Sequence, residues 1–396
     1  MALTVTGKIQ HLLKKKKRSA SPSASTIFQS KEKNSGAGVR AVQWRIHRTE
    51  GGEESIHQPP LALCLTGCGC SCSPLLSSSC PTPTHPSVRP SNAMLSLARR
   101  PLSAAVPAGN LLGIHLFQCP DTVGIVAKLS ECIASRGGNI HSVDVFVPDD
   151  KPVFYSRSEF TYNPRLWPRH ELHNDFLNLS RCFNAQTSTV RVPDLDPKYN
   201  ISILASKQDH CLFDLLHRWQ EGRLPVHINC VISNHDRPQD NHVRRFLQRH
   251  GIPYHYLPTA PGNKREQEIL ELIQGTDFVV LARYMQVLSE SFLKAYGKDI
   301  INIHHGLLPS FKGGNPSRQA FNAGVKLIGA TSHFVTQELD AGPIIEQMVE
   351  RVSHRDTLQS FVVKSENLEK QCLAKAIKSY CELRVLPYEL KKTVVF

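Results

Sequence analysis

The chain has no run of about 18 apolar residues, and no membrane-spanning helix is predicted for it. It also lacks an HExxH-like ligand pair. Its one crowd of cysteines, Cys64, Cys68, Cys70, Cys72 and Cys80, lacks the two separated pairs of a structural zinc site, so no metal is expected. The other seven cysteines are scattered without paired spacing, as suits free thiols in a reducing compartment. No Ser or Cys stands in a nucleophile-elbow context, which favours direct attack by water or a substrate amine over a covalent enzyme intermediate. Acids are scarce at one end: residues 1–100 hold 14 Lys/Arg against Glu32, Glu50, Glu53 and Glu54. The net charge of +13 is therefore concentrated there. The remaining residues carry only about +3, which removes the main support for a nucleic-acid partner.

What is present suits a soluble protein of two folded domains: 396 residues, 40% hydrophobic and 20% charged. Residues 1–93 hold a basic block (Lys14 to Arg18), Ser/Gly-rich spacers and a Ser/Cys/Pro tract. With no apolar periodicity to bury, they read as a disordered or non-native leader. The text changes at Met94, where Leu95-Ser96-Leu97-Ala98-Arg99-Arg100 opens a stretch with no acid before Asp121. That is the composition of an organelle transit peptide over residues 94–110, mitochondrial or plastid, and Met94 is expected to be the physiological start.

Residues 111–192 read as strand, helix, strand, strand, helix, strand, which gives an antiparallel sheet with helices on one face. Residues 193–199 form a linker. From residue 200 to 396, short apolar strands alternate with amphipathic helices, predicting an α/β fold around a doubly wound, mostly parallel sheet. A long amphipathic helix is expected from Thr357 to about Leu383.

The chemistry concentrates in Ile301-Asn302-Ile303-His304-His305-Gly306, followed by Leu307-Leu308-Pro309-Ser310-Phe311-Lys312-Gly313 and, further on, Leu339-Asp340-Ala341-Gly342-Pro343. Asn302 and His304 lie two residues apart and leave the same face of a strand end, while alternation turns His305 away as a structural residue. An amide donor, an imidazole and a carboxylate able to fix that imidazole form a set for attack on a carbonyl.

These segments, with Gly329-Ala330-Thr331-Ser332-His333-Phe334-Val335, resemble the formyltransferase fold that uses 10-formyltetrahydrofolate. Cys119-Pro120-Asp121-Thr122-Val123-Gly124-Ile125 with Gly137-Gly138-Asn139-Ile140 resembles an ACT regulatory domain, and the pairing is similar to the branch of the family that hydrolyses its formyl donor. The resemblance implies hydrolysis of 10-formyltetrahydrofolate to formate and tetrahydrofolate, a role in one-carbon and purine metabolism, and no cofactor beyond the folate substrate. It implies Asn302 at the formyl oxygen, His304 at the N10 leaving nitrogen, and Asp340 positioning His304 and the attacking water. Arg283, Tyr284, Met285, Gln286, Val287, Leu288 and His333 would line the folate pocket. Asp121, Gly124, Gly138 and Asn139 would form an effector site for an amino acid, and a homo-oligomer is expected. Gly306 departs from the Ser of many relatives.

Two other readings stay open. One is a formyltransferase acting on a phosphorylated amine such as glycinamide ribonucleotide, although Leu204-Ala205-Ser206-Lys207-Gln208-Asp209-His210 offers no glycine for a phosphate to approach. The other is a catalytically silent folate or amino-acid sensor.

Overall fold

The computed structural model describes residues 109–396, apart from 261 and 390. The leader assigned to residues 1–93, and the transit segment up to residue 108, lie outside the described residues.

Alternating apolar residues build the first sheet. Its elements are β1 (Leu111–Pro120), α1 (Ile125–Ala134), β2 (Asn139–Phe146), β3 (Val153–Tyr162), α2 (Arg169–Cys182) and β4 (Thr187–Arg191). The strands run in the order β2-β3-β1-β4, each antiparallel to its neighbour. One face of this sheet buries Phe160 and Tyr162 against Leu129 and Ile133 of α1 and Leu172 and Phe176 of α2.

The following elements are β5 (Tyr199–Ala205), α3 (His210–Gln220), β6 (Val226–Ser233), α4 (His242–Arg249), β7 (Tyr254–Tyr256), α5 (Glu266–Leu272), β8 (Phe278–Leu281), α6 (Glu290–Tyr296), β9 (Ile300–His304), α7 (Pro316–Asn322), β10 (Leu327–Phe334), β11 (Ile344–Arg351), α8 (Leu358–Cys381), β12 (Val385–Tyr388) and β13 (Lys392–Val395). Seven of these strands form one sheet in the order β11-β10-β9-β8-β5-β6-β7. The run from β9 to β7 is parallel, and β8, the middle strand of the seven, is buried at all four residues, as a strand covered on both faces must be. The chain moves outward from β5 through β6 and β7, then returns to β8 on the other side of β5. The crevice at this reversal, beyond the carboxyl ends of β5, β8 and β9, is where an open α/β sheet offers room for a ligand.

Two features go beyond the sequence reading. The segment around Gly329–Val335 is a full strand, and β10 and β11 form an antiparallel edge on the otherwise parallel sheet. After α8 the chain continues into the β12–β13 hairpin, which covers the second face of the first sheet. Ile114, Leu116 and Tyr155 pack there on Leu383, Leu386 and Val394. The buried Arg157 guanidinium donates twice to the Glu382 carbonyl, at 3.2 and 3.0 Å, and pairs with Glu159 at 2.7 Å. The two sheets are thus joined by packing as well as by the linker. Among the described residues no helix is long and apolar enough to cross a membrane.

Candidate active site

Antiparallel register assembles the centre of the site. Asn302 on β9 lies opposite His333 on β10, and His304 lies opposite Thr331. The side chains of such cross-strand partners meet. The Asn302 amide donates to His333 Nε2 at 3.1 Å, because the other ring nitrogen, Nδ1, already donates to the Phe334 carbonyl at 2.9 Å. His333 is 2% exposed, and burial lowers its pKa, so it serves as a neutral acceptor that fixes one amide hydrogen of Asn302 and leaves the second free.

His304 is buried at the end of β9. Its Nε2 lies 3.0 Å from the Phe311 carbonyl, which can only accept, so Nε2 carries a hydrogen; its Nδ1 faces Asp340 Oδ2 at 3.4 Å. Asp340 has a left-handed backbone (φ +51°) on the turn between β10 and β11, and its Oδ2 also accepts the Gly313 N–H at 3.0 Å. Two glycines make the arrangement possible. A Cβ on Gly342 would stand 1.8 Å from the Phe334 carbonyl oxygen, and one on Gly306 would stand 3.0 Å from His304 Nε2 and 2.9 Å from Pro316 Cβ. Thr331 holds the exit turn of β9 by accepting from the Leu308 N–H at 3.0 Å and donating to the Gly306 carbonyl at 2.8 Å; Gln347 donates to the Leu308 carbonyl at 2.7 Å.

Asn302, His304, Asp340 and His333 line a single cavity of about 230 Å³ together with Arg283, Tyr284, Met285, Gln286, Val287 and Leu288. These last six follow β8. Met285 and Val287 are more than half exposed at the mouth, whereas Tyr284 is buried, with its phenol pKa pushed up to about 12 by burial and by Glu266. The Met285 N–H donates to Ser206 Oγ at 2.8 Å, which ties the loop after β8 to the loop after β5. Lys312 lies outside the cavity lining and sits half-exposed 3.6 Å from Glu338.

The structure corrects the reading of His305. The strand ends at His304, alternation stops with it, and His305 turns back to line the cavity, its ring 5.5 Å from that of His304. His305 Nδ1 accepts from Arg283 Nη1, and burial, reinforced by the Arg283 charge, lowers its pKa to about 3. Arg283 lines the cavity as expected, yet its side chain is only 7% exposed and its guanidinium is directed inward to Gln208 and Glu369 as well as His305. Gln208, His210 and Glu369 were not singled out in the sequence. Glu369 had a legible signal, being an acid on the apolar stripe of α8 formed by Leu368, Cys372, Leu373 and Ala376.

Among the described residues, His210, Cys211 and Glu369 are spaced closely enough to hold a metal ion. Their chemistry does not suit one. His210 Nε2 and Arg283 both bond Glu369 Oε2, at 2.9 and 3.3 Å, and the Cys211 thiol is pushed well above its usual pKa by burial and by Glu369. The four residues assigned to an effector site are not brought together. Asp121 and Gly124 precede α1, Gly138 and Asn139 follow it, and ten helical residues separate the pairs by about 15 Å.

Residues 199–377 match the formyl transferase family. The chain is 71% identical over 284 residues to formyltetrahydrofolate deformylase 2, mitochondrial, of Arabidopsis thaliana, covering 72% of this chain and 87% of that protein. It is 66% identical over 295 residues to the Arabidopsis formyltetrahydrofolate deformylase 1, mitochondrial, covering 74% and 91%. This chain belongs to the formyltetrahydrofolate deformylase family. A crystal structure of a formyltetrahydrofolate deformylase from Pseudomonas syringae pv. tomato superposes with a TM-score of 0.66 at 39% identity, covering 74% of this chain and 96% of that one. The deformylase relatives thus span both sheets, beyond the formyl transferase segment alone.

Proposed function

We infer that this deformylase hydrolyses 10-formyltetrahydrofolate to formate and tetrahydrofolate by the following route. The observation that carries it is the convergence of Asn302, His304 and Asp340 at the inner end of the cavity formed by the loop after β8. The folate enters past Met285 and Val287. The free amide hydrogen of Asn302 meets the formyl oxygen, and as water attacks the formyl carbon that fixed donor stabilises the charge developing on the oxygen. His304 delivers a proton to N10 from Nε2, which exchanges the Phe311 carbonyl for the substrate nitrogen; the carbon–nitrogen bond breaks, and formate leaves. The Asp340 carboxylate holds the imidazole and stabilises the positive charge it carries during transfer. The attacking water loses its proton to this His304–Asp340 pair.

Formate release from purified protein and 10-formyltetrahydrofolate, with no acceptor added, tests the reaction. Absence of formate would eliminate hydrolysis, leaving a transferase if an amine restores turnover and a sensor if it does not.

The address is mitochondrial, the word carried in the names of both Arabidopsis relatives. We propose that the reaction balances the folate pool that feeds purine synthesis, that the first sheet takes an amino-acid effector, and that copies of the chain associate. The edge strand β2 supports association, because it is followed by exposed Val147 and carries exposed Val145. Light scattering, and turnover with each amino acid added, test these two points.

A further inference from the structure

A second cavity, about 210 Å³ and lined in equal measure by polar and apolar groups, lies on the far side of Arg283 and His305, between the loop after β9 and helix α8. It shares two lining residues with the folate cavity, Arg283 and His305, which together form the wall between them. The wall is built rather than incidental. Arg283 has a left-handed backbone (φ +64°) that directs its side chain inward. Its guanidinium is caged by Gln208 Oε1, Glu369 Oε2 and His305 Nδ1, with its Nε 3.1 Å from Gln208 and 3.3 Å from Glu369. Glu369 is 2% exposed and is itself fixed by His210 at 2.9 Å and Ser365 at 2.9 Å. Burial raises the pKa of Glu369, but the hydrogen bond from His210 and the charge of Arg283 outweigh it, so the pair stands as carboxylate and guanidinium.

A guanidinium held in this way is not free to grip substrate. Its position suggests a different task. On the hydrolytic reading the folate fills the outer end of the first cavity and the nucleophile comes from the inner end, where Arg283 and His305 close the space. The shut wall bounds the space in which a nucleophile can sit. With it open, the two cavities would join into a space roughly twice as large, enough for an amine.

We propose that Arg283, positioned by Glu369 and Gln208, determines acceptor selectivity: it seals the second cavity and reserves the formyl group for water. The proposal rests on the hydrolytic reading above. Without the seal, an amine nitrogen attacks the formyl carbon, the carbon–N10 bond breaks, and N10 takes the proton the amine loses. The products are an N-formyl amine and tetrahydrofolate, with no redox change.

The experiment uses the full chain with ¹³C-formyl-labelled 10-formyltetrahydrofolate and increasing glycinamide, following labelled formate and N-formylglycinamide by NMR. The readout is the ratio of the two products, which a general loss of rate does not move. Wild type should give formate almost alone. Arg283→Gly suits the left-handed backbone, and combined with Glu369→Gln it leaves no lone buried charge; this double variant should raise the amide-to-formate ratio at least about tenfold. Arg283→Lys should fall between. An unchanged ratio in a double variant that still turns over would overturn the proposal, as would efficient formyl transfer to glycinamide by wild type. If the double variant does not fold, wild type decides with two amines: relative to their uncatalysed reactivity, hydroxylamine should compete with water and glycinamide should not, and equal competition refutes the seal. Failure of wild type to release formate in any condition would instead remove the hydrolytic reading itself.

Discussion

Asp340→Asn separates the chemical role of the carboxylate from its structural one. At 3.4 Å from His304 Nδ1, and with an effective dielectric of about 20, a full negative charge stabilises a full positive charge on the ring by about 5 kcal/mol. At about 1.4 kcal/mol per decade that is an upper bound of three to four orders of magnitude. The ring is only partly charged at the transition state, so kcat should fall by about two to three orders of magnitude. The substitution is close to isosteric. Its remaining carbonyl oxygen can still accept the Gly313 N–H that Asp340 now accepts at 3.0 Å, so the loop after β9 keeps its anchor. That same oxygen faces His304 Nδ1, now without charge, and the amide nitrogen takes the Oδ1 position, 3.9 Å from His333 Nε2. The ring keeps an acceptor at Nδ1 but loses its counter-charge. Formate release at saturating substrate, with calorimetric binding of tetrahydrofolate alongside, makes the distinction. Binding within about threefold of wild type is expected. A kcat within fivefold of wild type would refute the assigned role, and parallel loss of binding would show Asp340 to be chiefly a loop anchor.

Asn302→Ala should lower kcat by about 10²- to 10³-fold with little change in KM. His333→Phe should cost less, and the double variant no more than Asn302→Ala alone, because His333 acts through the amide it orients; additive losses measured in such a cycle would argue against that. Gly306→Ser places a Cβ against His304 and Pro316 and should lower both Tm and kcat, with a stability loss of about 1–3 kcal/mol. Unchanged values would mean that the Pro316 segment yields. His115 is fully buried against Phe176, with a pKa lowered by burial to about 3. The unfolded chain therefore takes up this proton first, so the stability it confers is complete above about pH 6.5 and declines toward pH 3. The slope is about 1.4 kcal/mol per pH unit for each such histidine. His115→Phe should remove one such increment between pH 6.5 and 5 in denaturant titrations, and an identical slope would contradict the assignment.

The parts of the site that were legible in the sequence are those that depend on local periodicity. Asn302 and His304 share a face because a strand repeats every two residues, and β9 extends through both. The loop from Arg283 to Leu288 could be placed because it follows an unbroken apolar run, Phe278 to Leu281, that ends at the sheet edge. His305 was misread at the point where that periodicity ceases: a one-residue difference in where a strand stops reverses the side to which the next side chain turns. The β12–β13 hairpin escaped notice because two four-residue strands carry little pattern of their own and are defined by the sheet they cover. The same limit hides the Arg283 cage, whose members come from three loops and helix α8, across 162 positions of sequence, Gln208 to Glu369 inclusive. Motifs record where chemistry is brought to the substrate, whereas the exclusion of a competing nucleophile is recorded in long-range contacts. On this reading, the residues that distinguish a hydrolase from a transferase on this fold lie outside the Asn302–His304–Asp340 set, in the side chains that decide what else can reach it.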